Sequence, residues 1–491
     1  MTVRARIALA TLVAGSMLLA AACVHRAPSI EGAAPVPQGP STRWTPTKSV
    51  VDAAAADAKR ITPSTSPTQR LTLPDVVDLA LRNSPATRLS WTQARAAADV
   101  YGSTEGKLFP SLSAGVSVTR TRTIATPGRP AGERSQYGPS LSLAYTVLDF
   151  GGRSGTIDVA RQTAIAADLS HNATVENTIL AVETAAFAYL STRAQRDAEK
   201  SAVDLATAAL DAASERHRVG LATIADVLQA QTARSQAELQ LETLEGALQV
   251  TRGGLAVAMG LPANTPFEIP DVPATDSVHF VTQSVDTLIE MAVRNRPELA
   301  SVRAQAAAAQ SQIRVARSGY LPALALSATG ANNASTNSNF AGPTYSLNLG
   351  VQVPVFSGFS SQYDVAAASE QYRATVARSE ATKQQVIQQV FTAYYTLRTS
   401  TERVRTAHDL LTSATQSETV ARERYREGVG SIVDLLVAQA ALANARAQDV
   451  DARWQWRTSL AQLAHDVGVL NSRGDTSFAP LTPAPDVRPE R

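Results

Sequence analysis

The chain has 491 residues, enough for two or three ordinary domains, and only 5% of them are aromatic. So few large side chains favour thin, closely packed helices over a thick globular core. A net charge of +2 without a basic block gives no support to a nucleic-acid partner, and the six histidines show no spacing typical of a metal site, so no cofactor is predicted.

The N-terminus carries the pattern of an export signal. Arg4 and Arg6 precede an apolar run of signal-peptide length, and we predict a signal peptide over residues 1–22. Cys23 follows directly, and this arrangement resembles a bacterial lipoprotein signal, in which the cysteine is lipidated. Because Cys23 is the only cysteine, the exported chain is predicted to be stable without an intramolecular disulfide.

The rest of the chain divides by composition into linkers and a duplicated body. Residues 23–70 are rich in proline, serine and threonine, and we predict a lipid anchor followed by an extended linker. Residues 71–270 and 286–470 are predicted to be two structural repeats, each with a helix, a β-hairpin and a long helical hairpin. A linker over 271–285 is predicted to join them, and 471–491 is predicted to be a disordered tail.

Two similar segments reveal the duplication. Residues 215–231 read ERHRVGLATIADVLQAQ, and residues 423–439 read ERYREGVGSIVDLLVAQ without a gap, 208 residues later. Pro85 and Pro297 correspond in the same way, 212 residues apart. Periods above two hundred residues are too long for a solenoid, so one large half-structure is present twice.

Each repeat begins with a helical stretch and continues with two strands. The helical stretches are predicted at 74–107 and 286–318, each as one element. Apolar and polar residues then alternate with period two, which predicts strands with one apolar face. These strands are predicted at 111–119, 140–148, 324–328 and 345–355, with long surface loops at 120–138 and 330–343.

Long helical hairpins complete each repeat. No proline interrupts 154–219 or 359–426, so each is predicted to be one helix about 100 Å long at ~1.5 Å per residue. Shorter helices are predicted to return over 222–259 and 431–467. Each returning helix and the first helix of its repeat together match the length of the long helix, so they are predicted to cover it end to end.

The hairpin tips carry the most specific motif. Gly220 is predicted to end the first long helix, and Thr223 and Asp226 are predicted to cap the next one. In the second repeat either Gly428 or Gly430 is predicted to end the helix. Ser431 and Asp434 are predicted to form the corresponding cap.

Four strands with one apolar face pose a physical problem. About eight strands are needed to close even a narrow barrel, and an open sheet edge is not stable in lipid. The chain is therefore predicted either to share strands with copies of itself in a membrane or to form a sandwich that faces water.

The order of helix, hairpin, long helix, glycine tip and helix, present twice over about 71–470, resembles the TolC-type outer membrane efflux protein family. The N-terminal signal is similar to that of the lipoprotein members that serve tripartite efflux pumps. The resemblance implies a mainly α-helical fold with a small β part. Three chains would pool four transmembrane strands each into a twelve-stranded barrel, above a long antiparallel α-helical coiled-coil barrel. Val24 in place of aspartate implies the outer membrane of a Gram-negative bacterium.

The resemblance also implies roles for particular residues. The tips would dock a periplasmic adaptor protein that is bound to an inner-membrane pump. The positions that match this pattern are Gly220, Leu221, Thr223, Asp226, Gly428, Val429, Ser431 and Asp434. Asp434 would also line the periplasmic aperture, whereas a second acidic position of the family is Val437 here.

Three functions fit these predictions, and none is enzymatic. The first is a passive exit duct for small toxic compounds across the periplasm and outer membrane. The second is a duct of the same construction for a secreted protein, as in type I secretion, or for a polysaccharide. The third is a lipid-anchored periplasmic spacer that does not conduct.

Overall fold

The computed structural model describes residues 71–124, 131–270, 283–335 and 341–470, with the isolated positions 52 and 127. The chain divides into two units, Met1–Pro67 and Thr68–Arg491, and every element below belongs to the second. The predicted signal peptide, Cys23, nearly all of the N-terminal linker, most of the linker at 271–285 and the predicted tail lie outside the described residues.

Helices make up most of the described chain. In order they are α1 (Leu73–Asn83), α2 (Pro85–Glu105), α3 (Gly152–Arg218), α4 (Ile224–Ala258), α5 (Val285–Asn295), α6 (Pro297–Ser318), α7 (Ser360–Arg426) and α8 (Ile432–Val467). The long helices α3 and α7 each have 67 residues, and α1 and α5 each have 11. The two sequence repeats therefore also have corresponding helices of equal length.

The first helical stretch of each repeat is not one element, and the predicted helices 74–107 and 286–318 were wrong in this respect. Each is broken before a proline, at Ser84 and at Arg296, where ψ is 122° and 120°. The proline ring excludes helical geometry from the residue before it, and proline itself is well suited to begin the next helix. Ser84 additionally caps α2, because its hydroxyl accepts a hydrogen bond from the Thr87 amide over 3.3 Å.

The helices pack side by side into a wall. α6 lies against the start of α3, where the Ser301 hydroxyl donates to the Ala166 carbonyl over 2.8 Å. α8 lies against the later part, where the Gln439 amide reaches the Leu205 carbonyl over 3.4 Å. α2 and α4 pack mainly against α3, and α7 packs against α5, α6 and α8. The prediction that two shorter helices cover each long one is thus confirmed, and α2 with α4 forms one edge of the wall while α7 forms the other.

The core of the wall is thin and rich in alanine. Its largest group of buried side chains lies where α1 and α5 pack across the long helices, and includes Val76, Leu255, Leu288 and Val390, each 0% exposed. Closer to the tips the buried residues are mostly alanines. Within the described residues, no helix combines the length and the apolarity needed to cross a membrane.

Four antiparallel strands form one sheet in the order β1-β2-β3-β4. They are β1 (Ser111–Thr123), β2 (Gly132–Leu148), β3 (Ala323–Ser335) and β4 (Gly342–Gln352). The strands extend well into 120–138 and 330–343, so the prediction of long surface loops there was wrong in large part. Polar residues such as Thr121 and Arg134 pair across β1 and β2 because the ladder hydrogen bonds involve only the backbone.

The sheet has one apolar face and one polar face across all four strands. One row of neighbours reads Leu112, Leu143, Ala328 and Leu347, and the adjacent row reads Ser113, Ser142, Thr329 and Ser346. The apolar side chains are exposed, with 80% of Val116 and 74% of Leu347 accessible. Among the described residues, β1 and β4 each have a partner strand on one side only, so the sheet of one chain has two free edges there.

Candidate functional site

The first hairpin tip joins α3 to α4 through a tight glycine turn. Gly220 has a φ of 79°, in the left-handed region that favours glycine. The Leu221 amide donates to the Arg216 carbonyl over 2.8 Å, and the Gly220 amide donates to the His217 carbonyl over 3.0 Å. This pair of bonds is a Schellman motif, which satisfies the last carbonyls of α3 and explains the need for glycine.

The second tip, between α7 and α8, repeats the same geometry. Gly428 has a φ of 77°, and its amide donates to the Tyr425 carbonyl over 3.1 Å. The Val429 amide donates to the Arg424 carbonyl over 3.0 Å. Of the two glycines that the sequence left open, Gly428 is therefore the one in the left-handed position, and Gly430 follows in the turn.

Reciprocal caps open the returning helices. Asp226 accepts a hydrogen bond from the Thr223 amide over 2.8 Å, and the Thr223 hydroxyl accepts one from the Asp226 amide over 3.3 Å. At the second tip Asp434 accepts from the Ser431 amide over 3.4 Å, and the Ser431 hydroxyl accepts from the Asp434 amide over 3.1 Å. The predicted capping role of all four residues is confirmed, and it is a structural role.

Exposed apolar side chains surround both turns. Leu221 is 71% exposed and Val429 is 69% exposed at equivalent places in the two tips. Each is followed by two more exposed apolar residues one turn apart on the returning helix: Ile224 and Leu228 on α4, and Val433 and Val437 on α8. Because side chains four residues apart share one face of a helix, each tip carries a short apolar stripe at its end.

The two tips of one chain contact each other through Arg216 and Tyr425. The Arg216 guanidinium donates to the Tyr425 carbonyl and lies 4.8 Å from the centre of its ring. Tyr425 is buried, and burial raises the pKa of its hydroxyl above the ordinary value. A groove of about 640 Å³ lies beside this contact, lined partly by Ala208, Ala212 and Leu435. The sequence did not predict this contact, because no local pattern links residues on α3 and α7.

A second polar group, also missed from the sequence, is buried where α5, α6, α7 and α8 meet. Arg296 is 5% exposed, and its guanidinium donates to Gln389 over 2.7 Å and to Glu298 over 3.2 Å. The same guanidinium lies 3.6 Å from a carboxylate oxygen of Asp466, which is 4% exposed. His465 lies 2.9 Å from that oxygen.

This cluster exists in only one repeat. At the corresponding positions of the first repeat the chain has Ser84 in place of Arg296 and Ala258 in place of Asp466. Gly260 and Gly468 mark the same bend in both repeats, with φ of 72° and 76°. The two repeats therefore share a backbone arrangement at this joint but stabilise it with different chemistry.

Two glutamates on α3 have raised pKa values. Burial raises the pKa of Glu183 to about 7, and burial, followed by the charge of Glu298, raises the pKa of Glu176 to about 7. The folded chain therefore retains protons that the unfolded chain releases above about pH 4.5. The stability that these carboxyls contribute is present at acidic pH and is lost as the pH rises through about 7.

Comparison with known proteins places this architecture in a family. The family model described as outer membrane efflux protein matches residues 76–261 and 288–469. Protein CyaE of Bordetella pertussis is 30% identical over 412 residues, which cover 82% of this chain and 84% of that protein. The pyoverdine export outer membrane protein OpmQ of Pseudomonas aeruginosa is 28% identical and covers 78% of this chain and 80% of its own length.

A solved structure with the same fold is that of the outer membrane protein VceC from Vibrio cholerae. It superposes with a TM-score of 0.72 at 19% sequence identity, covering 81% of this chain and 96% of that chain. The family match extends over both repeats and includes both glycine tips. The chain therefore belongs to the outer membrane efflux protein family.

Proposed function

We propose that the chain is the outer membrane exit duct of a tripartite efflux system and passively conducts small toxic compounds. The observation that carries the proposal is the exposed apolar face that continues across all four strands, from Leu112 to Leu347. Water does not stabilise such a face, whereas lipid does. Relatives that support the small-compound cargo are named as a toluene efflux pump outer membrane protein and an antibiotic efflux pump outer membrane protein.

The duct requires several copies of the chain. β1 and β4 each have one free edge, and because the strand direction alternates, β4 of one copy can pair antiparallel with β1 of the next. We propose three copies and a twelve-stranded barrel. The wall edges support this closure because both expose apolar side chains, including Leu89 on α2, Leu239 on α4 and Phe391 on α7.

The proposed location is the outer membrane, with the helices in the periplasm and a lipid anchor at Cys23. A single acyl chain anchors only marginally, at ~0.8 kcal/mol per buried CH₂ group. The inserted barrel would therefore supply the firm attachment, and lipidation would assist targeting. The family is one of efflux ducts, and we propose no catalytic activity.

The duct is tested by placing a charge on either face of β4. Leu347→Arg puts a guanidinium on the apolar face and is expected to cost about 2–4 kcal/mol of insertion free energy. The neighbouring change Asn348→Arg puts the same charge on the polar face and is expected to permit insertion and alter only the ion selectivity. Single-channel recording in planar bilayers distinguishes the two, and equal conductance from both variants would contradict the proposed orientation. If the wild type forms no pore, the proposed duct function is wrong, and the function as a non-conducting periplasmic spacer is favoured.

We propose further that the tips dock a periplasmic adaptor protein, through the apolar stripes rather than through the capping residues. The geometry supports this division, because Thr223, Asp226, Ser431 and Asp434 are engaged in caps while Leu221 and Val429 are exposed. Gly220 and Gly428 would present those stripes by fixing the turns.

This division is tested with two variants of the same tips. The double change Leu221→Asp and Val429→Asp is expected to reduce cross-linking to the adaptor at least tenfold, because each aspartate would have to be desolvated in the contact. Thr223→Ala removes only a cap worth ~1 kcal/mol and is expected to leave cross-linking unchanged. Cross-linking in cells, normalised to the amount of assembled oligomer, measures both, and an unchanged double variant would exclude the stripes as the docking surface.

Asp434 is the residue that we propose at the periplasmic aperture. It is exposed at the second tip, and Val437, on the same side of α8, is 64% exposed. In an oligomer these positions would give one acidic ring and one apolar ring. The aperture would therefore bind cations more weakly than one with two acidic rings.

A further inference from the structure

All charged side chains of the sheet lie at one end of a single hairpin. β3 and β4 contain no charged residue, and those of β1 and β2 are Arg120, Arg122, Glu133 and Arg134. This end is opposite to the one from which the long helices leave the sheet. If the proposed duct is correct, these residues lie at the outer leaflet of the outer membrane.

Two of the arginines stand on the apolar face. β1 pairs with β2 in one unbroken register from Ser111 to Thr123, so its side chains alternate between the faces throughout. Arg120 and Arg122 therefore continue the row of Val116 and Val118. Their Cβ atoms are separated by about 7 Å along the strand, which allows both guanidinium groups to reach one headgroup.

This placement is informative because arginine is costly on a lipid-facing row. The cost of a guanidinium on the lipid-facing side of a strand is largest at the bilayer midplane and nearly disappears at the interface. The two arginines therefore mark the level at which hydrocarbon gives way to headgroups. On the same face of the sheet, Tyr137 of β2 lies opposite Val118, one step further toward the hydrocarbon than the arginines. Tyr137 is 51% exposed, and tyrosine is typical of the membrane interface.

The local charge is positive on this face. Arg120 pairs with Glu133 over 3.0 Å, and both side chains are largely exposed, so the pair is weak. Arg122 stands directly opposite Glu133 in the register but forms no ion pair with the described residues. Two guanidinium groups thus face one carboxylate, and a phosphate that approaches from the lipid would meet an excess of positive charge.

We propose that Arg120 and Arg122 bind the phosphate group of a phosphorylated glycolipid in the outer leaflet. Guanidinium groups bind phosphate oxygens through paired, charge-assisted hydrogen bonds, which makes arginine well suited to this headgroup. The acyl chains of the same lipid would lie along the row that contains Val116 and Val118. This inference rests on the proposed function, since it requires the apolar face to be in the outer membrane.

The test measures lipid binding to the full-length oligomer in detergent by native mass spectrometry. Lipid A with two phosphates is expected to bind about tenfold more tightly than the same lipid after phosphate removal. Arg122→Gln is expected to remove most of that difference. Glu133→Gln is expected to strengthen binding of the phosphorylated lipid by about threefold, because it removes the competing carboxylate.

The matched control is Arg134→Gln, which removes the same charge from the same hairpin end but on the opposite face of β2. It is expected to leave binding unchanged. An equal loss from Arg134→Gln, or no preference of the wild type for the phosphorylated lipid, would overturn the inference. Competition by inorganic pyrophosphate as strong as that by the lipid would also overturn it, since the site would then bind a free anion.

Failure of this inference is distinguishable from failure of the duct. Conductance of the wild type and of Arg122→Gln is recorded in parallel in bilayers of neutral phosphatidylcholine. Normal conductance without any phosphate preference would contradict the lipid site alone. Absence of wild-type conductance would contradict the proposed function itself and, with it, the lipid site.

Discussion

Replacing Gly138 with alanine is expected to separate β2 from β3 and to prevent stable insertion of the sheet. A Cβ atom at this position would overlap the carbonyl oxygen of Asn332 and lie 2.9 Å from its carbonyl carbon. Both obstacles are backbone atoms, so no side-chain rotation relieves the clash. Overpacking of this kind costs on the order of 3 kcal/mol. The cost falls on the strand pairing that, within the described residues of one chain, joins the hairpins of the two repeats.

The measurement is the fraction of the chain that remains in the membrane after an alkaline wash, together with the amount of the proposed oligomer that resists detergent. Gly330→Ala is the matched control, because it makes the same substitution on the neighbouring strand where a new Cβ meets nothing within 4 Å. Equal insertion of the two variants would show that the β2–β3 pairing tolerates a shift at Gly138, contrary to this prediction.

The second large effect is expected at the buried joint of the second repeat. Asp466→Ala removes a carboxylate from beside the buried Arg296, and with it the acceptor of the Gln462 amide and one of the hydrogen-bond partners of His465. Arg296 keeps its ion pair with Glu298, so the loss is expected at the lower end of the range for a broken buried pair, about 3 kcal/mol. Denaturant unfolding of the detergent-solubilised protein measures the loss.

The first repeat supplies a control for this prediction. The first repeat has Ser84 and Ala258 at the two positions. The double change Arg296→Ser and Asp466→Ala therefore gives the joint of the second repeat the same two residue types as the joint of the first. The double variant is expected to be more stable than Asp466→Ala alone, because the buried guanidinium is removed with its carboxylate and the charge that then loses its partner, Glu298, is partly exposed. A double variant whose loss equals the sum of the two single losses would show that Arg296 and Asp466 do not interact.

Local signals in the sequence were sufficient for the helical hairpins. The predicted helix 154–219 is observed as Gly152–Arg218, and the cap predicted at Thr223 and Asp226 is present. These features depend on proline, glycine and capping side chains, whose effects extend over only a few residues. The same local reasoning should have placed helix breaks before Pro85 and Pro297, since proline restricts the residue that precedes it.

Features that depend on distant residues could not be predicted in this way. The outer parts of the strands, with residues such as Thr121 and Arg134, have a composition typical of loops, and only pairing with another strand makes them extended. The contact of Arg216 with Tyr425 and that of Arg296 with Asp466 join residues 209 and 170 positions apart, for which the duplicated sequence offers no signal.

The equal length of α3 and α7 has a consequence for how such a protein can change in evolution. Both helices have 67 residues, and both run between the same sheet and the same level of tips. Deleting seven residues from one would shorten it by about 10 Å and leave its tip out of step with the other. A lineage whose cell envelope became narrower would therefore need matched deletions in both long helices and in the shorter helices that cover them.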